Sequence, residues 1–97
     1  MVIISKTILV EFGAQYPDAV DALNKWYEES KRANWNNLSD IKKSFNTVDY
    51  VGNDRYVFNI KGNKYRLVVM IFFNIRTGFI RFVGTHPEYD KIDCSEI

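Results

Sequence analysis

The chain has 97 residues, of which 46% are hydrophobic and 15% aromatic, and its formal net charge is +1 at neutral pH. This length allows one domain, residues 1–97, and the apolar content excludes an intrinsically disordered chain. A single cysteine, an apolar stretch no longer than Leu67–Phe73 and an amino terminus unlike a signal peptide predict a cytoplasmic protein without a disulfide or a membrane span.

The first half of the chain is predicted to be mainly helical. Val2–Ile4 is an apolar run typical of a short strand, and Ser5 is placed to cap a helix that continues to about Gln15. Pro17 suits the first turn of a second helix. The apolar stripe of that helix comprises Val20, Leu23, Trp26 and Tyr27.

A third, shorter helix is predicted after an asparagine-rich loop. Ser39 is placed to cap it, and Ile41 and Phe45 are spaced to lie on one side of it. Residues 46–54 show no regular period, and Gly52–Asp54 is typical of a turn.

The second half changes to the pattern of strands. β-Branched and aromatic residues dominate Arg55–Ile60, Tyr65–Asn74 and Phe79–Thr85. Gly62-Asn63 and Arg76–Gly78 are predicted turns between these segments. The order β-α-α-(α)-β-β-β, followed by a short C-terminal turn or helix, predicts an α+β domain whose helices pack on one face of a small antiparallel sheet.

The first hairpin determines which residues share a face of the sheet. If Gly62-Asn63 is a two-residue loop, Ile60 pairs with Tyr65 and Asn59 pairs with Arg66. Because side chains alternate along a strand, one face carries Asn59, Lys61, Lys64 and Arg66. The other face carries Phe58, Ile60, Tyr65, Leu67, Val69, Ile71 and Phe73. This apolar face is therefore predicted to pack against the helices.

The second hairpin extends the pattern if its loop runs from Ile75 to Gly78. Phe72 then pairs with Arg81, which joins the cationic face, while Ile80 and Phe82 join the core. A shift of one residue in the pairing would reverse these directions.

Charge is distributed unevenly along the chain. From Arg55 to Pro87 there are six Lys or Arg residues and no Asp or Glu, whereas residues 1–54 contain eight acidic and six basic residues. Such asymmetry predicts a basic surface on the second half, which can bind phosphates and stack bases on aromatic rings. The alternative is a solvated sheet face whose cations only protect an edge.

Two segments of the second half resemble the HigB-type toxins of the RelE-like superfamily. They are RYVFNIKGNKYRLV, residues 55–68, and IRFVGTHPEYDKI, residues 80–92. The resemblance implies the RelE-like fold and a ribosome-dependent mRNA endonuclease that inhibits translation. It also implies neutralisation by a cognate HigA-type antitoxin with a helix-turn-helix domain, through which alone the toxin would be linked to DNA.

Metal-free cleavage of RNA uses the ribose 2′-OH as the nucleophile against the adjacent phosphate. It leaves a cyclic or 3′-phosphate and a free 5′-OH, and it needs a base, an acid and positive charge at the developing phosphorane. No Cys and His residues are spaced as metal ligands, so we expect no metal and no cofactor.

The resemblance suggests three catalytic residues. Arg66 matches the arginine of a Tyr-Arg-Leu-Val pattern and suits phosphate stabilisation, the alternative being a surface ion pair. His86 is the only histidine and suits acid or base work near neutral pH, although a lone histidine is more often structural. Tyr89 matches a C-terminal active-site tyrosine that stacks on a base or contacts the 2′-OH, the alternative being packing.

Further RNA contacts are predicted on the cationic face and in the second turn. They are Lys61, Lys64, Arg81, Arg76 and Asn59, with Arg76 also readable as a plain loop charge.

The chain departs from RelE itself, which has lysines on the strand before the hairpin where this sequence has Val57 and Asn59. The identity of the general base is therefore open, with Glu88 and Asp90 as alternatives to the histidine and the tyrosine. Two other functions compete: a non-catalytic RNA- or protein-binding module that uses the same basic face, and a face that only docks an acidic partner.

Overall fold

Helices fill the first half of the chain and strands most of the second half, as the sequence predicts. The structure, a computed structural model, describes residues 1–97. The α-helices are α1 (Lys6–Gln15), α2 (Val20–Arg32), α3 (Leu38–Ser44) and α4 (His86–Asp90). The strands are β1 (Val2–Ile4), β2 (Asp49–Gly52), β3 (Arg55–Ile60), β4 (Tyr65–Phe72) and β5 (Thr77–Thr85).

The helix starts differ in detail from the sequence prediction. Ser5 precedes α1, but its side chain makes no capping hydrogen bond. Pro17 opens a 3₁₀ turn that leads into α2. The cap of α3 is Asn37 and not Ser39, because the Asn37 Oδ1 accepts a hydrogen bond from the Asp40 backbone N–H at 3.0 Å. Asparagine is as good a cap as serine, and the chain turns into the helix one residue before Ser39.

The sheet has five strands in the order β1-β5-β4-β3-β2, with β1 parallel to β5 and the other neighbours antiparallel. The sequence analysis missed β2, which it placed in the irregular segment 46–54. This short strand pairs with the free edge of β3, Asp49 lying opposite Val57. The turn at Gly52–Asp54 is confirmed, since all three residues have positive φ. A strand of this length is specified by its partner more than by its own sequence.

The first hairpin has the predicted register. Ile60 lies opposite Tyr65 and Asn59 lies opposite Arg66. Alternate residues of both strands therefore point to opposite faces, and the apolar set faces the helices as expected.

The second hairpin was predicted wrongly. β4 ends at Phe72 in a 3₁₀ turn, so Phe72 lies opposite Thr77 and not Arg81. A bulge leaves Arg81 without a partner, with Ile80 opposite Val69 and Phe82 opposite Val68. Ile80 is in the core as expected, whereas Phe82 shares the other face of the sheet with Val68. An earlier, tighter turn and an extra residue in β5 changed the register, which sequence alternation cannot detect.

The core lies between the sheet and α1–α3. Its centre is a cluster of aromatic rings in which Phe58 makes edge contacts with Trp26 and Phe45 and stacks on Trp35. The helix-facing strand residues that are buried are Tyr56, Phe58, Ile60, Tyr65, Leu67, Val69, Ile71 and Ile80. None of the helices combines the length and apolar content that crossing a membrane requires.

The sheet face that points away from α1–α3, called here the outer face, is partly covered by the C-terminal residues. Val57 and Val68 point to this face, yet they are only 3% and 0% exposed. Arg55 Nε donates a hydrogen bond to the Ile97 carbonyl oxygen at 2.8 Å, which holds the end of the chain against β3. The outer face is therefore a partly enclosed surface and not a bare one.

Candidate active site

Arg66 is held on the outer face by two neighbours. It alternates with the buried Tyr65 and Leu67 on β4, so its side chain points away from the helices. Its Nη1 donates a hydrogen bond to the Oδ1 of Asn59, the cross-strand partner. The guanidinium carbon lies 5.5 Å from the ring centre of Tyr89. The Arg66 Nε is buried and has no hydrogen-bond partner.

Tyr89 reaches Arg66 because α4 begins at a well-defined point. Thr85 caps this helix, and the reciprocal bond runs from the Thr85 backbone N–H to Glu88 Oε1 at 2.8 Å. The carboxylate of Glu88 is therefore engaged in the capping box. Tyr89 is the residue after Glu88, and its ring covers the Arg66 guanidinium.

The Tyr89 hydroxyl is protonated at neutral pH. Burial raises the pKa of Tyr89 to about 12, and the hydrogen bond that its hydroxyl donates to Cys94 Sγ at 3.2 Å acts in the same direction. A phenolate base is therefore not available near pH 7. The ring can stack on a base or on the guanidinium, and the hydroxyl can donate a hydrogen bond.

His86 begins α4 and lines a cavity together with Lys64 and Tyr65. Its Nε2 is buried and has no hydrogen-bond partner. Proton exchange by this side chain as placed therefore has to use Nδ1. His86 and Tyr89 are one helical turn apart, so α4 links the cavity to the outer face.

The prediction that Lys61 and Lys64 share a face with Arg66 was wrong. Both ammonium groups bind Asp18 Oδ2 in the 3₁₀ turn before α2, Lys61 at 3.3 Å, and the Tyr65 hydroxyl donates to Asp18 Oδ1 at 2.6 Å. The lysines lie in the loop beyond the last paired residues, where alternation no longer fixes direction. Their flexible side chains bend toward the nearest carboxylate, on the helix side of the sheet.

The other residues predicted to contact RNA lie in different parts of the structure. Arg76 lies in the turn at the far end of β4 and donates hydrogen bonds to the side chains of Asn34 and Asn36. Arg81 is exposed at the bulge of β5. Asn59 is bonded to Arg66. No group of three or more His, Cys, Asp or Glu side chains is arranged to hold a metal ion.

Sequence reasoning missed two residues of this region, Asp18 and Cys94. Asp18 lies next to Pro17 at the start of the second helix, and nothing in the sequence connects it to a loop more than forty residues away. Cys94, the single cysteine from which the sequence predicted only the absence of a disulfide, accepts the hydrogen bond of Tyr89. A contact between residues as distant in sequence as Asp18 and Lys64 has no local pattern.

Asp18→Asn is expected to reduce the acid sensitivity of folding. The hydrogen bonds from Lys64 and Tyr65 hold the pKa of Asp18 far below its ordinary value of 3.8. A lowered carboxyl pKa stabilises the fold above that ordinary value, and this contribution is lost as the pH falls. Thermal melts from about pH 6 to about pH 2 should show a difference between the melting temperatures of the wild type and the variant that is constant above about pH 5 and narrows below about pH 4.

Asp21→Asn is the matched control, since Asp21 is an exposed carboxylate on α2 with no ion pair. A difference in melting temperature between the wild type and Asp18→Asn that stays the same at all pH values would contradict the role of Asp18.

Comparisons with known proteins agree with the fold and with the family resemblance. Residues 19–92 match the family model of the HigB toxin, described as the RelE-like toxic component of a toxin–antitoxin system. An mRNA interferase HigB of Escherichia coli strain CFT073 is 30% identical over 94 residues, which are 95% of this chain and 91% of that protein. An mRNA interferase HigB of Shigella flexneri is 42% identical over 53 residues, 55% of this chain and 50% of that protein.

Proposed function

This chain belongs to the HigB family of RelE-like toxins, and from that membership we propose that it is an mRNA interferase that cleaves messenger RNA on the ribosome. A toxin of this family has an antitoxin partner. The further proposal is a cognate HigA-type antitoxin with a helix-turn-helix domain, which would be the toxin's link to DNA, and action in the cytoplasm.

The observation that carries the proposal is the Arg66 guanidinium on the outer face, held by Asn59 and by the Tyr89 ring. A guanidinium is always charged and its planar donors match the oxygens of a phosphate. Fixed in advance, it would stabilise charge that develops on a phosphorane without having to reorganise. A free surface ion pair does not explain the arrangement, because Arg66 has no carboxylate partner.

The proposed reaction is a transfer within the RNA chain. The 2′-oxygen forms a bond to the adjacent phosphorus, the bond from phosphorus to the 5′-oxygen breaks, and a base takes the 2′-OH proton while an acid protonates the leaving oxygen. The immediate products are a 2′,3′-cyclic phosphate and a 5′-OH. His86 is the proposed acid or base, acting through Nδ1. Tyr89 is proposed to stack on a base, and Asn59 to position Arg66.

Three residues that the sequence analysis named as candidates for the site have a different role in this proposal. Glu88 is an unsuitable base because its carboxylate is engaged in the capping box with Thr85. Lys61 and Lys64 would contact RNA beside the helices and not on the outer face. Ribosome dependence has a physical rationale, since an mRNA bent on the ribosome would present its 2′-OH in line with the leaving oxygen.

Expression of the chain without an antitoxin tests the proposal directly. Growth should stop, and primer extension should map cuts within translated mRNA that carry a 5′-OH. RNA or ribosome binding that weakens with salt but leaves the mRNA intact would favour the non-catalytic module instead. Binding of an acidic protein without any RNA would favour simple docking.

Tyr89→Ala is expected to lower RNA cleavage about ten- to a hundredfold, because it removes the ring proposed to stack on a base. Tyr89→Phe should retain most of the activity, since the hydroxyl is protonated and bonded to Cys94. Single-turnover cleavage rates on ribosome-bound mRNA measure both. Equal losses in the two variants would contradict the stacking role and assign the function to the hydroxyl.

A further inference from the structure

We propose that the cavity beside the first hairpin loop binds one nucleotide of the RNA substrate next to the cleaved bond. This inference rests on the proposed function and names a subsite for it. Called here the hairpin cavity, it lies between the start of α4, the loop 61–64 and the 3₁₀ turn at Pro17.

The hairpin cavity has a suitable size and lining. Its volume is about 670 Å³, within the range of small-ligand sites. Tyr16 supplies its partly exposed aromatic ring, whose centre lies 5.5 Å from that of Tyr65, which is only 2% exposed. Tyr16 is half-buried and is supported from behind by Phe12, whose ring stacks on it at 4.6 Å. A supported aromatic ring is the surface on which proteins stack single-stranded bases.

Polar groups around the cavity can distinguish one base from another. The exposed amides of Gln15 and Asn63 lie on its lining, and each offers both donors and an acceptor. The His86 ring completes this side. Base edges present donors and acceptors in different orders, so amide side chains are suited to read them.

The charge of the cavity favours the phosphate that accompanies a base. Asp18 is outnumbered by the two lysines that it binds, and their side chains remain 46% exposed for Lys61 and 57% exposed for Lys64. An ammonium group has three donors, so Lys64 can bind Asp18 and a phosphate together. The ion pair with Asp18 therefore keeps the Lys64 ammonium group at the cavity.

The cavity is adjacent to the Arg66 site along two elements. Lys64 and Arg66 are two residues apart at the start of β4, about 7 Å along a strand. His86 and Tyr89 are separated by three residues of α4, about 5 Å along the helix axis. Because the two sites lie on opposite faces of the sheet, an RNA strand whose phosphate lies at Arg66 would pass around the end of the first hairpin beside α4 to place a neighbouring nucleotide at the hairpin cavity.

Titration of the isotope-labelled protein with the four ribonucleoside 5′-monophosphates, monitored by NMR, tests the binding directly. The side-chain amide signals of Gln15 and Asn63 and the ring signals of Tyr16 should shift, and the four nucleotides should differ in affinity. Inorganic phosphate alone should shift the signals of the loop 61–64 and leave the tyrosine ring unchanged. Shifts confined to Arg66, or equal shifts with phosphate alone, would overturn the subsite.

Tyr16→Leu removes the aromatic face and keeps an apolar side chain of similar reach. We expect KM for ribosome-bound mRNA to rise about tenfold with little change in kcat, from the loss of one stacked base. Gln15→Ala with Asn63→Ala should change the nucleotide preferred beside the cut, as mapped by primer extension. Tyr27→Leu is the matched control, a half-buried tyrosine on α2 outside the cavity.

The outcomes separate the subsite from the activity. Cleavage by the wild type with unchanged KM and cut-site preference in these variants would reject the subsite and leave the nuclease assignment intact. Absence of cleavage in the wild type would reject the nuclease assignment, while the NMR titration would still report whether a nucleotide binds.

Discussion

Arg66→Ala is expected to lower the rate of RNA cleavage by about 10²–10³ and to relieve growth arrest, because removal of one preorganised transition-state donor has an effect of that size. The fold should persist, since Arg66 lies on the outer face and is half-buried. The loss should appear in kcat and in kcat/KM alike, since the contact strengthens only as charge develops on the phosphorane. Single-turnover cleavage of ribosome-bound mRNA is the direct measurement.

Two further variants make this result specific. Arg66→Lys keeps the charge but not the planar pair of donors, so it should recover only part of the lost rate. Arg32→Ala removes an exposed arginine at the end of α2 and should cleave like the wild type. Full toxicity in a folded Arg66→Ala protein would contradict the proposed site.

Phe58→Ala is expected to cost about 3–5 kcal/mol in the free energy of unfolding, the usual loss for a buried aromatic residue. Phe58 is 1% exposed and contacts the rings of Trp26, Trp35 and Phe45, so the cavity left behind cannot close easily. A domain of this size has only about 5–15 kcal/mol of stability in total. Chemical denaturation should therefore show unfolding at a much lower denaturant concentration than for the wild type.

Val10→Ala provides the comparison, because Val10 is an exposed valine on α1 (62%) and its truncation should change stability by less than about 0.5 kcal/mol. Phe58 also precedes Asn59, so its loss should disturb the Arg66 site as well. A Phe58→Ala protein with near wild-type stability would mean that the aromatic cluster is not the centre of the core.

Alternation of side chains could be read without a structure wherever a strand pair was well defined. Tyr65 and Leu67 face the helices and Arg66 does not, because Gly62-Asn63 fixes the register of the first hairpin. The position of Arg66 follows from the same rule. The family resemblance rested on residues 55–68 and 80–92, and the family match confirms it.

The alternation of side chains gave wrong predictions in loops and at bulges, where strand residues are not regularly paired. Lys61 and Lys64 lie in a loop, and long-range attraction by Asp18 decides their direction. Phe82 follows a bulge that changes which face it occupies. No local preference of either segment indicates these outcomes.

The sequence by itself determined the division into a helical and a strand half, the register of the first hairpin and the side of the sheet on which Arg66 lies. Those features depend on the period of apolar residues and on turn residues, both of which are local. Tertiary structure alone decided that the Tyr89 ring covers Arg66, that Cys94 accepts the hydrogen bond of the Tyr89 hydroxyl and that Asp18 draws the loop lysines toward the helices. Arg66 and Tyr89, like Asp18 and Lys64, are distant in the chain, and only the packing of α4 and the 3₁₀ turn against the sheet brings them within reach.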